Sequence, residues 1–178
     1  MRWTLDMQLK AQCADHRLKT GAADSVVSIR QAEIGDARRL AVLMSQLGYP
    51  TREEEMAARL RLLFSGGDYL MAVALREGRV VGMVAAMMGL YIEMNGRYGR
   101  VTALSVAEDH RGQGIGALLL AYAESWLHAH GAVNCIVNSS THRSDAHRFY
   151  KREGYQVTGV RFHKDFRGVD PETHPAVS

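Results

Sequence analysis

Val101-Thr-Ala-Leu-Ser-Val-Ala-Glu-Asp-His-Arg-Gly-Gln-Gly-Ile-Gly-Ala117 runs from a short apolar strand through an arginine into three glycines at alternate positions. The segment that follows carries Ile115, Leu118, Leu119, Tyr122 and Trp126 on one helical stripe and ends at Gly131. Glycine allows a close backbone approach and positive φ, and the first amides of a helix have no internal partners. Arg111 to Ala117 therefore reads as an anion cradle at a positive helix end, of the kind that holds a phosphate or pyrophosphate.

Upstream, Val26 to Ala32 alternates as a strand. Asp36 is expected to cap a helix bearing Leu40, Leu43, Met44 and Leu47 and closed by Gly48. Thr51 and Glu54, after Pro50, form a capping box for a second helix with Met56, Leu60 and Leu63 on its stripe. Tyr69 to Leu75 and Val80 to Ile92 flank the turn Arg76-Glu77-Gly78-Arg79, and Asn95-Gly96 leads into Val101 to Val106. Three strands in an antiparallel meander follow from this spacing. Downstream of the cradle helix, Ala132 to Asn138 is a strand that a helical crossover makes parallel to its predecessor. Ser144 opens a last helix ended by Gly154, and Tyr155 to Phe166 reads as one or two closing strands.

The 178 residues, 47% hydrophobic and 23% charged, suit one globular domain, with no apolar run of bilayer length; the first residues carry no apolar core of signal-peptide length, so secretion is not expected. Two cysteines, Cys13 and Cys135, without metal-ligand spacing fit a reduced cytoplasmic compartment. His142 and His147 straddle a helix start with no third ligand, so no metal site is expected. The net charge of +3 is too small to argue for nucleic acid, and no aromatic and basic interleaving of a nucleic-acid module occurs. Basic residues do gather between His142 and Arg167, either as a solvated face or as attraction for an anionic ligand.

Gly112, Gly114 and Ala117 also satisfy a dinucleotide-binding pattern, but that loop should open the first strand–helix–strand unit and be followed by an acidic residue. Here it lies behind a meander, and the next strand ends in Asn138 with no acid nearby. A turn serving packing alone does not require three alternate glycines leading into a helix.

Arg111-x-x-Gly114-x-Gly116, preceded by Leu104-Ser105-Val106 and followed by Ala146-His147-Arg148-Phe149-Tyr150-x-x-x-Gly154-Tyr155, resembles the GNAT superfamily of N-acetyltransferases over about residues 26 to 166. The block His147 to Tyr155 and Arg161-x-x-Lys164 further resemble its aminoalkylphosphonate N-acetyltransferase branch. The resemblance implies an α/β fold: a mixed, mostly antiparallel sheet of six to seven strands, about four helices, and strands four and five parallel and splayed. It divides the chain into an extension (1–24), the acetyltransferase domain (25–167) and a tail (168–178).

It implies acetyl-CoA as co-substrate, held by the main chain of Leu104, Ser105 and Val106, by Arg111, Gly112, Gln113, Gly114, Ile115, Gly116 and Ala117, and by Asn138. A backbone N–H near Val106 would polarise the thioester carbonyl. Tyr150 matches the family's general acid, since a hydroxyl with pKa about 10 can protonate a thiolate whose conjugate acid lies near 8.5. The expected reaction is direct attack by the primary amine of a small molecule. The alternative is an acetyl-CoA-binding sensor without turnover.

No general base is assigned among Glu93, Glu108 and His110. Arg143 stands where many members carry Asn, and the strand at Arg100 to Ala103 carries no acid. Anionic acceptors gain slightly from Arg143, Arg148 and Arg161, and the resemblance allows a homodimer.

Overall fold

The structure is a computed structural model that describes residues 26–164 and 166. The 1–24 extension and the 168–178 tail lie outside the described residues. The chain falls into two compact units, one reaching Val137 and the other starting at Asn138.

The first unit is built on strands β1 (Val27–Gln31), β2 (Tyr69–Arg76), β3 (Arg79–Leu90), β4 (Arg97–Val106) and β5 (Ala132–Val137), hydrogen-bonded in that order. All neighbours are antiparallel except β4 and β5, which run parallel. Three helices pack on this sheet: α1 (Ala37–Gln46), α2 (Glu53–Phe64) and α3 (Ile115–Ala129). The meander and the crossover match the expectation from the turn residues and the helical stripe.

Asp36 is the N-cap residue of α1, as expected, but its side chain makes no cap hydrogen bond to that helix, and the capping box of α2 shifts. Asp36 lies in the αR region at the end of a single 3-10 turn, and its carboxylate turns back to accept Arg30 Nη1 (2.7 Å), Arg30 Nη2 (2.9 Å) and Glu33 N–H (2.8 Å). Burial pushes this carboxyl up, but the Arg30 and Glu33 hydrogen bonds and the Arg30 charge outweigh it and hold Asp36 below the usual carboxylate range. The box of α2 moves by one residue, because Thr51 Oγ1 donates to Tyr49 O (2.8 Å) and it is Glu55 that accepts Arg52 N–H (3.0 Å).

One face of the sheet buries Met71, Val73, Met83 and Ala107 against Leu40, Leu43, Met56 and Leu60 of α1 and α2. The other receives α3, whose Ile115, Leu119, Leu120, Tyr122, Ala123, Trp126 and Leu127 are buried. At about 1.5–3 kcal/mol for each large apolar side chain removed from water, this face fixes α3 firmly, and with it the position of its N-terminus.

The second unit contains α4 (Ser144–Arg152), closed by Gly154 at φ 91°. Tyr155 to Phe166 forms no strand among the described residues, which corrects the expected sheet of six to seven strands to five. A strand persists where its backbone finds a ladder and its apolar side chains a partner face. Val157, Val160 and Phe162 are 81%, 83% and 93% exposed, so the apolar residues of this segment bury little.

Candidate active site

β4 changes character along its length. Its ladder with β5 runs from Arg97↔Ala132 to Val101↔Val137 and stops. Its ladder with β3 continues to Gly82↔Val106, after a register shift between Ala85 and Ala86. Among the described residues, Thr102–Val106 thus pairs on one side only. Ala107 N–H donates to Val81 O (2.8 Å), so Ala107 points its main-chain groups at β3. Alternation then turns Ser105 towards β3 and Leu104 and Val106 towards the open edge. Ser105 Oγ, buried, donates to Leu43 O at the end of α1 (3.2 Å). What Ser105 lends this edge is the strand itself.

The chain leaves β4 through a 3-10 turn, Glu108–His110. His110 Nδ1 lies 2.8 Å from Asp109 Oδ1, and the adjacent imidazole holds the Asp109 carboxyl below its usual range. Arg111 is extended, and its Nε donates to Val106 O (3.1 Å), leaving the Val106 N–H as that residue's outward donor. Gly112 and Gly114 adopt φ 74° and 79°, the left-handed region that an L side chain enters only with strain. Nothing stands within 4 Å of where a Cβ on Gly112 would sit, so the loop surface is open.

The first bond of α3 is Leu118 N–H to Gly114 O (3.1 Å), and the N–H groups of Ile115, Gly116 and Ala117 precede it. Ile115 is fully buried while Arg111 to Gly114 are exposed. A rigid helix therefore presents free donors at an accessible end, which is the requirement for holding a phosphate. Gln113 braces the loop: its Oε1 accepts Arg76 Nη1 of β2, and its Nε2 donates to Asp109 O (3.3 Å). Neither Arg76 nor Arg100, discussed below, carries a motif that would single it out in the sequence.

Asn138, exposed, and Tyr150 belong to the second unit. There the Tyr150 ring meets Phe149 and Tyr155 edge-on, at centroid distances of 5.1 and 5.6 Å, and Tyr150 O accepts Tyr155 N–H (2.9 Å). Of the candidate bases, Glu93 lies beyond the end of β3, where its carboxylate accepts Ile92 N–H (3.2 Å). Glu108 and His110 lie in the turn after β4, at the opposite end of that strand. No group of three potential metal ligands occurs among the described residues.

The open strand edge thus leads into a glycine loop and a helix end whose amides can hold an anion. The family model for the acetyltransferase (GNAT) domain matches residues 67–157, just over half of the chain. An aminoalkylphosphonate N-acetyltransferase of Salmonella typhimurium is 37% identical over 123 residues, which are 69% of this chain and 77% of that protein. The chain belongs to the GNAT acetyltransferase family, and its enzyme class is that of the N-acetyltransferases.

Two solved structures share the fold at lower identity. Glucosamine-6-phosphate N-acetyltransferase from Arabidopsis thaliana superposes with a TM-score of 0.70 at 24% identity, over 79% of this chain and 98% of that one. An aminoglycoside N-acetyltransferase in complex with CoA gives a TM-score of 0.72 at 17% identity, over 80% and 96% of the two chains.

Proposed function

We propose that this chain transfers the acetyl group of acetyl-CoA to the primary amine of a small anionic molecule by direct attack. The observation that carries the reading is the edge of β4: outward main-chain groups at Leu104 and Val106 lead directly into the free amides of Ile115, Gly116 and Ala117. The residues present fit the co-substrate. The amides of Arg111 to Ala117 hold the pyrophosphate, the outward groups of β4 take the amide-bearing pantetheine arm as an added strand, and Asn138 contributes from the segment after β5. The Val106 N–H donates to the thioester oxygen as negative charge develops there.

A neutral amine attacks the carbonyl carbon, a C–N bond forms, and the C–S bond breaks as the tetrahedral intermediate collapses. Tyr150 protonates the departing thiolate, and the extra amine proton goes to water. The assignment of Tyr150 rests on its place in the Ala146 to Tyr155 segment. An anionic acceptor is supported by Arg143, Arg148 and Arg161 and by the name of the Salmonella relative. The two cysteines of the chain support a cytoplasmic setting.

Thiol release from acetyl-CoA, measured across aminoalkylphosphonates, amino acids, polyamines and aminoglycosides, tests the reading. Release with an anionic amine is the expected result, and Tyr150→Phe should lower kcat by about tenfold or more with little change in KM for acetyl-CoA. Tight CoA binding with no release for any amine would convert the chain into a sensor. An unchanged kcat in Tyr150→Phe would remove that residue from proton transfer.

A further inference from the structure

The two faces of the sheet differ in how much of β4 they leave accessible. On the α3 face there is no space. A Cβ on Gly82 would stand 2.9 Å from Leu119 Cδ1, and one on Gly99 would stand 2.6 Å from Leu127 Cδ1. An acceptor has no route to the open edge of β4 through that packing. On the opposite face, α1 and α2 cover Met71, Val73 and Met83 and stop short of the next row. The ladders align that row as Tyr69, Met87, Arg100 and Ile136, one residue from each of β2 to β5. Tyr69 is 45% and Ile136 38% exposed, so the floor of the first unit is open here.

Arg100 projects from this floor, half-buried, one residue before the β4–β5 ladder stops. Arg79, at the exposed start of β3, has no side-chain hydrogen bond or ion pair among the described residues either, but it stands in water; the other strand arginines besides Arg100 are paired. Arg30 pairs with Asp36, Arg39 donates to Val80 O, Arg76 to Gln113, Arg97 to Asp68 and Arg111 to Val106 O. The Nε atoms of Arg76, Arg97 and Arg100 are all buried without a partner, but the first two side chains are held through their Nη atoms, whereas no side-chain hydrogen bond or ion pair of Arg100 is found among the described residues. A guanidinium with its Nε withdrawn from water and unpartnered is at a disadvantage, and an oxyanion that takes its fork bidentately through Nε and an Nη reverses the balance.

We infer that Arg100 binds the anionic group of the acceptor, a compact amine bearing a phosphonate, phosphate or carboxylate on a short chain. The inference rests on acetyl transfer taking place at the open edge of β4. Four residues of strand separate Arg100 from Leu104, about 13 Å at the rise of an extended chain. An arginine side chain and a short aminoalkyl acid bridge that span together, with the amine reaching the edge while the acid stays on the guanidinium. Arg100 is thus a specificity residue, with no part in proton transfer.

The experiment compares wild type, Arg100→Met and Arg100→Lys in the full chain. Steady-state kinetics use 3-aminopropylphosphonate, 4-aminobutanoate and propylamine. In Arg100→Met the KM for the phosphonate, the carboxylate or both should rise about tenfold to a hundredfold, as expected for losing hydrogen bonds between charged groups. The kcat, the KM for acetyl-CoA and the KM for propylamine should stay within about twofold, and Arg100→Lys should recover part of the loss. Equal losses with all three amines, or no loss with either acid, overturn the inference.

A second measurement needs no turnover. Methylphosphonate should raise the melting temperature of wild type and leave that of Arg100→Met unchanged. A wild type stabilised in this way that acetylates no amine keeps the anion site and refutes the proposed reaction. A wild type that acetylates amines without preference for charge and is not stabilised keeps the reaction and refutes the role of Arg100.

Discussion

The two halves of β4 share one backbone and do different work. From Arg97 to Val101 the strand is paired with β3 and β5 on its two edges, and Gly99 lies against Leu127 of α3. From Thr102 to Val106 it is paired with β3 alone, and its outward groups at Leu104 and Val106 face an open edge. In the first half the main chain is paired on both edges, so a substitution such as Gly99→Val that disturbs its packing acts on stability. In the second, half of the main-chain groups are released from the sheet and available to a ligand that resembles a strand. The register shift between Ala85 and Ala86 and the end of β5 at Val137 therefore create the open edge of β4, with no part played by a side chain.

The largest effect should come from removing one outward donor. Val106→Pro deletes an N–H that the β3 ladder does not use, at a position whose predecessor is already extended, so the sheet should tolerate it. The expected loss in kcat is about one hundred- to one thousand-fold, the range for a missing oxyanion donor. Circular dichroism should show a folded protein. A kcat within tenfold of wild type would erase the functional distinction between the halves.

Gly99→Val tests the paired half. Leu127 already stands within 2.6–2.9 Å of where the first added carbon would be, so α3 must shift. A stability loss of about 1–3 kcal/mol in urea unfolding is expected for such overpacking, with kcat of the folded fraction unchanged. Unaltered stability would mean that α3 is held less closely than its packing implies.

How far these halves could be read in the sequence depends on how local their causes are. The glycine loop, the helix stripe and the meander are short-range patterns, and Arg111 to Ala117, Ile115 to Trp126 and the turn at Glu77-Gly78 all fell where those patterns placed them. Helix starts were harder, because Asp36 and Thr51 each had a competing partner: Arg30 across from β1, and the Tyr49 carbonyl two residues back. Tyr155 to Phe166 was expected to close the sheet, yet Val157, Val160 and Phe162 stay exposed and the segment forms no ladder among the described residues. Arg100 was invisible, since an arginine on a strand gains meaning only once its neighbours are known to leave it unpaired. Tyr150 is assigned from the motif alone, and Tyr150→Phe tests that assignment.

The smallest expected effect separates side chain from main chain within the unpaired half. Ser105 turns its side chain away from the open edge, and its Oγ is hydrogen-bonded to Leu43 O at the last turn of α1. Ser105→Ala leaves that buried carbonyl short of one donor and opens a space smaller than a methyl group. The expected cost is about 0.5–1.5 kcal/mol, the net value of one intramolecular hydrogen bond, read as a shift of the urea midpoint at constant m-value. A loss beyond about 3 kcal/mol would place this half in the structural core alongside the first, since only a cavity or a broken network reaches that size. A loss inside the expected range leaves the second half of β4 as a strand whose side chain anchors a helix while its alternate main-chain groups remain open to the acyl donor.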